Sequence, residues 1–178
     1  MPKMGQNFLV AHDPSVPGCA IIDLAMAELD GLGVQQELIK SGSNRPIIFL
    51  TGRGDVSSTV KAMKAGAVDF LTKPVEREAL FSALERAAEL DTLSRQKRRE
   101  TASIAERLDT LTHRERQVLE HVISGRLNKQ IAASLGTVEK TVKVHRGRMM
   151  AKLGVRSVAD LVRLAEKAAI EPAQAPSA

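Results

Sequence analysis

There is no tryptophan and no tyrosine among the 178 residues, and the four phenylalanines stop at Phe81. The C-terminal half therefore has no aromatic platform on which unstacked bases of a single strand could lie, which argues against RNA and leaves duplex DNA as the polyanion to consider. A single cysteine, Cys19, excludes an internal disulfide framework and fits a reducing compartment. No run reaches the about twenty apolar residues of a membrane span. The opening MPKMGQNFLVAHDP has neither the apolar core nor the small-residue cleavage pattern of a signal peptide. A cytoplasmic protein without membrane contact is expected. Four histidines (His12, His113, His121 and His145) show no metal-ligand spacing.

What is present is unevenly placed. Residues 1–100 hold thirteen Lys and Arg against thirteen Asp and Glu, whereas residues 110–170 hold twelve against five, a net +7. A basic block beside a neutral one predicts that only the C-terminal part meets a polyanion.

Three short apolar runs, CAIID (19–23), PIIFLTG (46–52) and VDFLTKP (68–74), are continuous rather than alternating. That suits strands buried on both faces of a parallel sheet. Between them VQQELIKSG (34–42) and SSTVKAMKAG (57–66) read as short helices stopped by glycine. The order predicts a parallel three-stranded βαβαβα unit with right-handed crossovers. Leu80, Phe81, Leu84, Ala87 and Ala88 form a helical stripe over 76–90 that packs on the sheet. The helix then continues as a solvated linker to about 108. A coiled-coil linker is the weaker alternative, because Lys97 and Glu100 fall where the seam should be apolar.

From Leu111 the pattern changes to four short helices with tight turns. Thr112 and Glu115 make a capping-box signature. The expected layout is an α/β domain over 1–90, a linker helix over 91–110, an all-α domain over 111–170 and a disordered tail over 171–178.

The predicted strands end in Asp23, Thr51 and Lys73, so a carboxylate, a hydroxyl and an ammonium converge on the edge where open parallel sheets hold their ligands. A carboxylate can attack phosphorus, and the other two can hold phosphoryl oxygens. In the second domain Ile131, Ala132 and Leu135 bury one helix, Gly136 turns the chain and Thr137 is placed to cap the next. Val142, His145, Met149 and Leu153 face inward on that helix. Lys140, Lys143, Val144, Gly147 and Arg148 lie opposite: cations for phosphates and base edges, an apolar group for a thymine methyl, and a glycine that permits close approach. Asn128 and Lys129 open the preceding helix, where backbone N–H groups can meet a phosphate.

On DLAMAELDG (23–31), LTGRGDVSSTVKAMKAGAVDFLTKP (50–74) and the C-terminal helices, the chain resembles the FixJ/NarL class of two-component response regulators over residues 18–168. The resemblance implies part of a flavodoxin-like receiver fold followed by a LuxR-type helix-turn-helix. It places Asp23 as phosphoacceptor, Thr51 as switch hydroxyl, Phe70 as switch aromatic and Lys73 before a cis Pro74. Lys143 and Val144 match base-reading positions, and Thr141, Arg146 and Arg156 match backbone contacts. It further implies promoter half-sites as ligand, a sensor histidine kinase, RNA polymerase as a further partner, and a homodimer formed through the helix at 57–66 and the strand at 68–72.

The departures from the family pattern are specific. Only 22 residues precede Asp23, and Asp13 is the one acid among them. The family's acidic pair for Mg²⁺ is therefore missing, and the metal site is expected to be weak or absent. One face of the small sheet and the edge of CAIID are expected to lie uncovered. Ala27 stands where the family has proline. GRGDVS (52–57) mimics a dinucleotide fingerprint but lacks its third glycine and the acid beyond it. A DNA-binding regulator is the leading reading. The alternative is an interaction protein that pairs with a full-length regulator without being phosphorylated itself. A phosphatase-like enzyme would need a second carboxylate near Asp23, so no enzymatic activity is expected.

Overall fold

The structure, a computed structural model, describes residues 4–26, 30–52 and 56–173. Ala27, the centre of GRGDVS and the end of the tail fall outside the described residues. Two compact units divide the chain, Met1–Gln96 and Lys97–Ala178. No helix among the described residues is long and apolar enough to cross a membrane.

In the first unit β1 (Ala20–Asp23), β2 (Ile47–Thr51) and β3 (Asp69–Thr72) form a parallel sheet in the order β1-β2-β3. The register sets Ile22 opposite Phe49 and Phe49 opposite Phe70. Burial on both faces holds for β2 alone, because two helices cover one side of it and a third helix the other. On one face Ala20, Ile22, Ile47 and Phe49 meet Val34 and Leu38 of α2 (Gly31–Lys40) and Ala62 of α3 (Val56–Lys64). Phe8 and Leu9 of α1 (Met4–Ala11), a helix the sequence pattern does not announce, pack against the same cluster.

On the other face Ile48 is closed over by Ala83 and Ala87 of α4 (Arg77–Asp109). Its register partner Ile21 is left 47% exposed. Among the described residues β1 pairs with β2 only, so the expected uncovered edge is present. The stripe on α4 is also corrected. Phe81 is 52% exposed beneath the Arg77 guanidinium, and Ala88 is exposed, while Ala83, Ala87 and Asp91 point inward. Asp91 accepts from the Gly18 N–H (3.0 Å) and from Arg95 Nε (2.8 Å). Arg45 and Arg95 both donate to carbonyls of the loop that enters β1, Val16 O among them.

The linker reading is narrowed as well. Residues 96–103 are exposed, but Ile104 and Leu108 belong to the core of the second unit. That core is completed by α5 (His113–Ile123), α6 (Asn128–Ser134), α7 (Glu139–Leu153) and α8 (Val158–Lys167). Thr112 and Glu115 form the expected capping box. Residues 171–173 lie within the described chain, with the Ala173 N–H donating to Glu120 O (3.0 Å).

Thr137 does not cap α7. Its N–H reaches back to Ala132 O (3.0 Å), and Gly136 turns at φ +61°, so Thr137 belongs to the stop of α6. The N-cap falls to Val138, whose side chain has no acceptor and is 64% exposed. Val138→Ser is therefore expected to raise the stability of this unit by about 1 kcal/mol, read by urea unfolding; an unchanged midpoint would reject the cap assignment.

Candidate functional site

The carboxyl end of the sheet brings two of the expected groups into contact. Asp23 closes β1, and its Oδ2 accepts from Lys73 Nζ at 2.5 Å. Its Oδ1 accepts from the Ala25 N–H at 3.0 Å. The ammonium of Lys73, then the Ala25 N–H, hold the Asp23 carboxyl below its usual range against a smaller opposing effect of burial. Both side chains reach solvent, with 36% of Asp23 and 43% of Lys73 exposed.

Lys73 is aimed by the backbone. Its N–H donates to Thr51 O (2.7 Å), and the Lys73–Pro74 bond is cis, as the resemblance implies. Thr51 ends β2 and is 2% exposed. Phe70 lies on β3 with its ring 6.4 Å from Phe49, tilted by 46° and half-buried. Behind Asp23, Gly31 comes so close that an added Cβ would lie 2.9 Å from Asp23 O and 3.1 Å from Leu24 Cα. Backbone atoms cannot give way there, so the start of α2 requires glycine, with Asp30 capping it through the Gly33 N–H (2.7 Å).

Among the described residues the carboxylates do not fit a Mg²⁺ site. Such a site takes one or two carboxylates plus phosphate oxygens. Here Asp23 is already engaged by an ammonium, Asp30 is spent on a helix cap and Asp13 accepts from Ser15 N–H (2.7 Å) in an exposed loop. No cluster of three or more His, Cys, Asp or Glu able to hold a metal occurs among the described residues.

The second candidate surface is on α7. Val142, Met149 and Leu153 are fully buried, and His145 is half-buried at the boundary. On the opposite side Lys140, Lys143, Val144, Gly147 and Arg148 are all exposed. A Cβ added at Gly147 would meet nothing within 4 Å, so no packing inside the protein requires that glycine. Thr141 is half-buried, and Lys129 and Arg156 are exposed on α6 and in the turn before α8. Arg146 and Asn128 find each other: Arg146 Nη1 donates to Asn128 Oδ1 at 3.1 Å, bracing the start of α6 against α7.

Cations of the second unit are committed internally, two of them, Arg114 and Lys152, from the counted basic block, which the charge count could not show. Arg107 donates to Leu153 O (2.8 Å) and Arg114 to Leu135 O (2.9 Å), satisfying carbonyls at the ends of α7 and α6. Lys152 is held by Glu115 (2.6 Å).

A parallel sheet with a solvent-facing Asp–Lys pair at its carboxyl edge, followed by a helix-turn-helix with a basic outer face, defines a phosphoreceiver-type domain joined to a DNA-binding domain. Comparison with known proteins agrees. Residues 2–85 match the response regulator receiver domain, and residues 109–165 match the bacterial regulatory proteins of the luxR family. Nodulation protein W of Bradyrhizobium diazoefficiens is 44% identical over 161 residues, 90% of this chain and 71% of that protein. The response regulator protein TodT of Pseudomonas putida is 45% identical over 160 residues, 90% of this chain and 70% of that protein. The solved structure of the response regulator StyR superposes with a TM-score of 0.81 at 43% identity, covering 93% of this chain and 84% of that one. The chain belongs to the two-component response regulators that carry a LuxR-family helix-turn-helix, a family of DNA-binding transcription regulators.

Proposed function

We propose that this chain binds promoter half-sites in duplex DNA through the outer face of α7 and regulates transcription there. The observation that carries the reading is the exposed set Lys140, Lys143, Val144, Gly147 and Arg148 on one helix face. A glycine inside a helix costs about 1 kcal/mol relative to alanine, and nothing within the protein accounts for it at Gly147. Close approach to a DNA edge does account for it. Lys143 and Val144 read bases. Lys129, Thr141 and Arg156 contact phosphates, as would the N-terminus of α6, with Arg146 and Asn128 setting the angle between the two helices.

Asp23 stands in the phosphoacceptor place, with Thr51, Phe70 and Lys73 as its switch residues and a sensor histidine kinase as the donor in the family. Phosphoryl transfer would form a bond between an Asp23 carboxylate oxygen and phosphorus and release the donor's leaving group. Lys73 supplies one positive charge for the phosphoryl oxygens. Among the described residues, no second carboxylate stands beside Asp23 to hold a metal there. Intact mass after incubation with acetyl phosphate is therefore expected to show at most a small adduct, unaffected by Mg²⁺, absent in Asp23→Asn and without effect on DNA affinity. A stoichiometric, Mg²⁺-dependent adduct would overturn this part of the reading.

A specific observation also favours self-association. Val56, Val60 and Met63 are 77%, 45% and 44% exposed on one side of α3. Their spacing of four and three residues makes an apolar stripe. A second copy covering that stripe makes the homodimer that paired half-sites require. The same stripe would let the chain pair with a full-length regulator, and RNA polymerase is the further partner at the promoter.

A further inference from the structure

Gln35 has no part in the Asp23 site or in the DNA-binding surface, yet it is 2% exposed. An unpaired amide N–H would be costly there, and this NH₂ group has acceptors. Its Nε2 donates to Ala62 O and to Ala65 O, both at 3.2 Å. Ala62 lies in the last turn of α3 and Ala65 is the first residue past its end. Ala62 O already accepts the Ala67 N–H (3.1 Å), while Gly66 turns at φ +89° and donates to Met63 O (3.0 Å). The backbone stop thus leaves Ala65 O to a side chain from another helix. Ala62 is the single buried residue of α3, so little apolar packing fixes the helix in place.

We propose that Gln35 is the positioning residue for α3. It pins the last turn of that helix from α2 and so sets how the Val56–Val60–Met63 stripe is presented. The consequence for pairing rests on the dimer reading above; the hold on α3 does not.

The test is amide hydrogen exchange on the full chain, compared as protection factors. Gln35→Met fills the same space without donors. It should lower protection over residues 61–67 about tenfold or more and leave β2 unchanged. Gln35→Glu should lose protection of this segment at alkaline pH and regain it on acidification, when the carboxyl recovers an O–H to donate; wild type should show no such dependence. Loss spread evenly through the first unit, no loss at all, or no acid recovery in Gln35→Glu would overturn the proposal. Sedimentation of the same samples separates the two readings. A wild-type chain that stays monomeric sinks the dimer face and leaves the exchange result standing on its own.

Discussion

Replacing Lys143 and Arg148 together by alanine is expected to lower affinity for a specific duplex about a hundredfold or more. Both side chains are exposed on the outer face of α7, away from Val142, Met149 and Leu153, so their loss should leave the unfolding transition in place. The two roles separate by salt. A phosphate contact contributes a released counterion, and losing it flattens the slope of log affinity against log salt by about one. A base contact changes discrimination between sequences instead. Lys143→Ala alone should relax preference at one position of the site, measured by binding to a panel of single-base variants. An unchanged footprint and slope in the double variant would remove α7 as the reading helix.

How much of this was legible beforehand differs between the units. Strand positions in the first unit follow from apolar runs bounded by Pro and Gly, and all three fall within a residue or two of expectation. Their burial does not follow, because it depends on strand order and on where α4 crosses. A continuous apolar run reads the same in the middle strand as at an edge, so Ile48 and Ile21 look alike in sequence and differ wholly in exposure. The error at Phe81 has a similar source. An aromatic at helical spacing reads as core, but the face of α4 that meets the sheet is made by Ala83 and Ala87 with Leu84 half-buried beside them, and Phe81 lies off it. Helix α1 gave no periodic signal over its eight residues.

The site residues divide along the same line. Asp23 and Lys73 were visible because Asp23 ends β1 and Lys73 follows the last residue of β3, and strand ends of a parallel sheet meet at one edge. Gly31 could be noticed only as a glycine after a capping Asp30; the near contact with Asp23 O that demands it is a tertiary fact. Gln35 shares a helical face with Gly31, Val34 and Leu38, so its burial was readable from spacing, though its carbonyl partners on α3 were not. In the second unit the net charge pointed to DNA correctly but counted too many cations. Arg114 and Lys152 are held by groups of their own unit, and only the geometry of α7 shows which positive charges face outward.

Glu115 is the residue whose loss tests that internal use of charge. It is 2% exposed, and its Oε2 accepts from the Thr112 N–H (2.8 Å) and from Lys152 Nζ (2.6 Å). Burial alone would raise its pKa. The Lys152 ammonium and the Thr112 contacts together outweigh burial, and the carboxyl sits below its ordinary 4.5. A depressed folded-state value means that ionised Glu115 stabilises the fold at every pH above about 4.5, and that this contribution fades as pH falls through the lower folded value. Glu115→Gln keeps an acceptor for the cap and removes the charge, while Lys152 retains Thr110 O at 2.9 Å. The expected loss at neutral pH is about 1–2 kcal/mol by urea unfolding. The difference from wild type should shrink steadily below pH 4.5 and vanish once the wild-type carboxyl is protonated. A difference that stays constant down through the acid range would mean that Glu115 acts by shape and capping alone, and that its charge adds nothing to the fold that presents α7.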